Sequence, residues 1–114
     1  METQLQPEVT KEAQQWLTGD LDAINQRVIH ICTQEARKKH LPIKKLKLSV
    51  KRSWEEEYTV LVLQVFVEGD LPQSLVLWDA IGDSIQRWGE KQSAKFRRTL
   101  NQKYAVFVEP LQSL

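Results

Sequence analysis

Long hydrophobic runs are missing from this 114-residue chain. The longest, Val60 to Val67, is interrupted by Gln64 and has the length of a strand, far short of the roughly 18 apolar residues of a membrane span. Cysteine occurs once, so no internal disulfide can form, and a reducing, cytoplasmic setting is expected. Glycine and proline number four each, and they mark turns rather than repeats or low-complexity tracts. The opening METQLQPEVTKEAQQ has neither a basic start nor an apolar segment, so it does not read as a secretory signal. One Cys and two His fall short of the roughly four ligands of a zinc site. His30 and Cys32, two apart on a helix, point in different directions, and no flanking signature supports a Cys32–His40 nucleophilic pair. No glycine-rich phosphate loop follows a strand. These absences argue against an enzyme, and no catalytic residue, metal or cofactor is expected.

What is present is the composition of an ordinary globular domain: 41% hydrophobic and 27% charged residues. The length suits a single domain over 1–114, read as an N-terminal helical extension (1–19) on an α+β core (20–110). The net charge of +1 conceals strong blocks. Residues 1–36 are net −4, residues 37–52 carry eight basic groups and no acidic one, residues 53–90 are net −7, and residues 91–103 are net +5. A dedicated nucleic-acid binder carries a basic surplus over the whole domain, whereas here each basic block has an acidic block to answer it.

Pro7 and Glu8 suit a first helical turn, so residues 7–18 read as a short helix, with Gly19 ending it and Asp20 capping the next. Leu21, Ile24, Val28, Ile31 and Cys32 follow the 3–4 spacing of a helix with one buried face, running to about Lys39 and stopped by Pro42. Within that face Glu35 is out of place, and a pairing with Lys39 one turn later accounts for it. From Ile43 the period becomes two: Leu46, Leu48 and Val50 alternate with Lys45, Lys47, Ser49 and Lys51. After a turn SWEEE, Tyr58 to Glu68 is a second strand, apolar on both faces and therefore central. A helix follows from about Pro72 to Gly89, with Leu71, Leu75, Trp78, Ile81, Gly82, Ile85 and Trp88 on its buried arc. Asp79 and Asp83 lie on its outer ridge, where Arg87 pairs with Asp83. A short basic helix over 94–102 leads into the strand YAVFVEP.

The expected architecture is α+β, in the order α–α–β–β–α–α–β. An antiparallel hairpin and a third strand, set parallel beside the second by a helical crossover, form a small three-stranded sheet with helices mainly on one face. The first strand would be an exposed edge, and Lys45, Lys47 and Lys51 would keep it from pairing with other chains. The competing reading makes the same lysines a polyanion contact.

Two functional readings follow. One is a non-catalytic interaction protein, a homodimer or the partner of another protein, whose second sheet face is hidden by a second copy through Val62, Phe66 and Val106. Trp16, Trp78 and Trp88 would be core, and Trp54, in a polar turn, an exposed anchor. The other reading starts from Gly89, Glu90, Lys91 and Gln92 between the last two helices. Over about 90 residues the order α–β–β–α–α–β is similar to the bacterial-type KH layout and to KH-like ribosome-maturation factors. That resemblance implies RNA binding, with a GxxG clamp where this chain has Gly89 to Gln92, an acid inside the loop and no second glycine. The cations Lys91, Lys95, Arg97 and Arg98 would then contact phosphates without base specificity, with the basic block 37–52 in support.

Overall fold

The computed structural model describes residues 6–53 and 58–111. Among them are β1 (Glu8–Val9), α1 (Lys11–Trp16), α2 (Gly19–Lys38), β2 (Ile43–Ser53), β3 (Tyr58–Val67), α3 (Leu71–Glu90), α4 (Ala94–Lys103) and β4 (Tyr104–Pro110). The strands make one mixed sheet in the order β1–β2–β3–β4, with β2 antiparallel to β3 and β4 parallel to β3. The α+β class and the parallel third strand of the expected sheet are present. The expectation of three strands and seven elements is corrected by β1, which pairs parallel to β2 through Glu8–Lys47 and Val9–Leu48. Pro7 and Glu8 read as a helix start because both suit that position, but extended backbone is equally open to them. There the Thr10 N–H continues the pairing by donating to the Leu48 carbonyl, and the Thr10 hydroxyl caps α1 by accepting from the Ala13 N–H. The segment set apart as an extension thus adds a strand, and Ala13 is fully buried in the core.

α2 ends in a Schellman motif. The Leu41 N–H donates to the Ala36 carbonyl and the His40 N–H to the Arg37 carbonyl. His40 takes the left-handed backbone conformation at φ 55°, and Leu41 is buried beneath the turn. β2 then opens with a bulge: Ile43 faces Val67 and Lys45 faces Phe66, so Lys44 is the extra residue. The bulge explains how Ile43 and Leu46, three apart, both pack toward the helices.

One core cluster joins the helices to one face of the sheet. Ile24, Val28 and Cys32 of α2, Leu77 and Ile81 of α3, and Leu100 of α4 meet Leu46, Leu48, Leu61, Leu63, Val65 and Val108. Each fully buried Leu or Val contributes about 1.5–3 kcal/mol by leaving water. A buried polar pair ties α2 to the start of β4, the Tyr104 hydroxyl donating to Asn25 Oδ1 at 2.7 Å. No helix among the described residues is long and apolar enough to cross a membrane.

Candidate interaction surface

α3 begins with a capping box, in which Asp70 accepts from the Gln73 N–H while the Gln73 side chain accepts from the Asp70 N–H. The Ser74 hydroxyl donates to the Asp70 carbonyl, so a polar residue enters the core satisfied. Ser74, Leu77 and Ile81 consequently form the buried side of α3. This corrects the buried arc expected from the sequence, because Leu71, Leu75 and Trp78 lie outside it. The apolar residues from 71 to 78 span too wide an arc for one core-facing stripe, and the helix buries the side that Ser74 shares.

The six large apolar residues exposed by 36% to 57% are Leu71, Leu75, Val76, Trp78, Phe107 and Leu111. All belong to α3, to β4 or to the residue just beyond it. Trp78 joins the two elements: its indole N–H donates to the Val106 carbonyl at 2.7 Å and its ring lies 5.7 Å from that of Phe107. Because Val67 pairs with Pro110, α3 starts beside the C-terminal end of β4 and runs back along it. At its far end Gly89 lets Leu100 of α4 approach to 3.1 Å of where a Cβ would stand. A groove of about 200 Å³ between α3, α4 and β4 is walled by Ile81, Ile85, Leu100 and Val106. The exposed apolar surface therefore follows the free edge of the sheet.

The expected contact residues do not share one surface. Val62 and Phe66 lie on the sheet face turned away from the helices but are only 7% and 3% exposed. Lys45 lies over the Phe66 ring at 5.9 Å, and beside them the Gln64 amide donates to Glu109 at 3.2 Å. Val106, at the register of Leu63, packs instead toward the helices. Its grouping with Val62 and Phe66 is corrected by that register, since neighbouring strands in register share a face. Trp54 lies outside the described residues. Trp16 and Trp88 are half-buried against the core, Trp88 edge-on to Phe96, and Trp78 is the tryptophan placed otherwise than expected.

The two basic segments differ in their partners. In the first, Lys38 pairs with Glu35, Lys44 with Glu68, Lys45 with Glu8 and Arg52 with Glu12. Lys47 also lies where β1 covers β2, so β2 is not wholly the bare edge the lysine pattern suggested. In the second, Lys91, Lys95, Arg97 and Arg98 are exposed and make no ion pair among the described residues. The turn before α4 has its backbone donors engaged: the Lys91 N–H bonds the Trp88 carbonyl and the Gln92 N–H that of Gly89. Gly89 itself is buried inside α3. No phosphate-clamping loop is formed there.

The titratable groups inside the fold are structural in their setting. Burial pushes the Cys32 thiol up to about 12, which keeps it protonated and unreactive at neutral pH. Burial likewise raises the Tyr104 phenol. Glu35, with its side chain 13% exposed, accepts from Ser84 Oγ at 2.8 Å and from Lys38 Nζ at 3.3 Å. Partial burial pushes its pKa up, but the Ser84 and Lys38 bonds and the nearby lysine charges outweigh this and hold it below its ordinary 4.5. The expected partner Lys39 is replaced by Lys38 and by a helix–helix bond to α3. Among the described residues no three of His, Cys, Asp and Glu gather as metal ligands. No family model, no curated protein and no solved structure matches this chain.

Proposed function

We propose that this protein is a non-catalytic interaction module that works by self-association, and that its working surface is the apolar strip of α3 and β4. The observation that carries this reading is the concentration of every large exposed apolar side chain of the described residues on α3, on β4 or just beyond it. Monomers rarely leave such a patch open to water, and association buries it. The open sheet face is the weaker candidate, since Val62 and Phe66 are already shielded in the single chain. The test is mass by light scattering after size exclusion at micromolar concentration. A dimer is expected, and Leu75→Glu, at an exposed position, should return a folded monomer. A wild-type protein that stays monomeric through the micromolar range removes the reading.

A second reading, RNA binding, is favoured by one observation: the four cations of residues 91–98 are exposed and make no ion pair among the described residues. It predicts weak, sequence-independent affinity that falls steeply with salt and is abolished by reversing Lys95, Arg97 and Arg98. Single-stranded RNA binding that survives this triple reversal removes it.

A further inference from the structure

β4 pairs with β3 in one unbroken register from Tyr104 to Pro110. Its one charged residue, Glu109, bonds Gln64 on the open face of the sheet, and its one proline is its last residue. Lysines, bulges and interior prolines, which commonly protect a sheet edge from strand addition, are therefore missing from β4. The opposite edge has its lysines and is partly covered by β1. Whatever protects β4 has to come from another element.

Trp78 of α3 is placed to do so. Val106 pairs with Leu63 and packs toward the helices, whereas Phe107 pairs with Gln64 and takes the opposite face. Trp78 touches both residues. Its indole N–H donates to the Val106 carbonyl at 2.7 Å, and its ring lies 5.7 Å from that of Phe107, tilted by 37°. β3 fills the inner side of β4. A side chain from the helix layer therefore meets both residues only by passing round the outer side of the strand. The indole lies across the edge, its N–H on a backbone acceptor of the kind that an incoming strand seeks.

We infer that Trp78 is an autoinhibitory latch, which closes the β4 edge against strand addition in the free chain. The latch has two separable parts. The N–H engages a carbonyl of the edge, and the ring sets its bulk in the path of another strand. Trp78→Phe deletes the first and keeps an aromatic ring, whereas Trp78→Ala removes both. Because Trp78 is 40% exposed, neither change reaches the buried side of α3. The inference is independent of self-association, since the edge is latched whether or not the α3 flank meets a second copy.

The probe is a fluorescently labelled synthetic peptide with the sequence of residues 104–110, a strand able to add to an open edge. It is titrated into the full chain carrying Leu75→Glu, so that association through the α3 flank does not compete, and its uptake is read by anisotropy. Trp78→Phe should take up the peptide about fivefold more tightly than the chain with Trp78, the weight of one net hydrogen bond. Trp78→Ala should exceed it, at about tenfold or more. A second measurement needs no variant: by nuclear magnetic resonance on the wild-type chain, the Trp78 indole proton should exchange with solvent at least about tenfold more slowly than an unbonded indole. Uptake that is equal with Trp, Phe and Ala at position 78, or tightest with Trp, overturns the latch. So does an indole proton that exchanges at the unbonded rate.

Discussion

At one side of the sheet, two residues of β1 cover the middle of an eleven-residue strand whose charges are largely answered by acids of the same chain. At the other side, the seven residues of β4, Glu109 the one charged among them, have no strand on their outer side and are met by one indole. The first edge carries the densest charge in the sequence and is the one partly covered. The second carries almost no charge and is the one left open. Charge density alone therefore marks a solvated, internally paired border, and the proposed working surface lies where polar finishing is absent. The reason is the asymmetry of the two costs. An exposed ion pair contributes only about 0.2–1 kcal/mol, so the lysines of β2 add little to the stability of that border. An open apolar edge keeps both its backbone bonding capacity and its hydrophobic area for a partner.

The comparison can be broken most completely through the strand that supports both edges. Leu63→Glu sets a carboxylate in the fully buried helix-side core, and the expected cost exceeds about 4 kcal/mol, enough to unfold the chain. Val62→Glu, one residue away but on the lysine face, should leave a cooperative thermal transition measurable by circular dichroism. Equal effects at the two positions would contradict the assignment of the faces.

A smaller loss is expected where β4 begins. Tyr104→Phe removes the donor to Asn25 Oδ1 and leaves a buried acceptor unpaired, for about 1–3 kcal/mol in denaturant unfolding. Trp78→Phe keeps an aromatic ring against Phe107 but deletes the N–H to the Val106 carbonyl, costing about 1 kcal/mol. Against these, the triple change of Lys45, Lys47 and Lys51 to Thr should lower stability by less than about 1 kcal/mol, because the single ion pair it removes is exposed. Because β1 already covers part of that edge, light scattering should rise less for the lysine triple than for Trp78→Ala. The reverse order would make β2 the vulnerable edge.

The smallest effect concerns acid. The folded pKa of Glu35 is depressed, so its contribution is present at neutral pH and above 4.5, and is lost as pH falls below that value through the folded pKa. Glu35→Gln should be slightly less stable than wild type at pH 7, and the difference should shrink on acidification. A difference that grows toward low pH would mean the carboxylate is not held by Ser84 and Lys38.

Much of the architecture was legible because it rests on periodicity. The 3–4 spacing from Leu21 to Cys32 and the alternation from Lys45 to Lys51 each admit one regular element, and their order admits few topologies. β1 was illegible because two residues have no period, and Pro7–Glu8 suits both an extended segment and a helix start. The roll of α3 was illegible for a related reason. Apolar residues at 71, 75, 76, 77 and 78 span more than one face, and a wheel cannot tell which side will find partners. Ser74 was passed over as polar, yet its hydroxyl is satisfied within its own helix by the Asp70 carbonyl, which frees that side for burial.

The sequence by itself determined the class, the long helices, the hairpin and the alternating charge blocks, because each follows from local spacing and residue chemistry. Only the tertiary structure decided which charges are answered, which apolar residues stay outside and which edge is open. Those are properties of pairs brought together from far apart, such as Arg52 with Glu12, Glu35 with Ser84 and Trp78 with Val106. No local pattern encodes them, because a side chain's role is fixed by the nearest partner that satisfies it, and that partner is chosen by the fold.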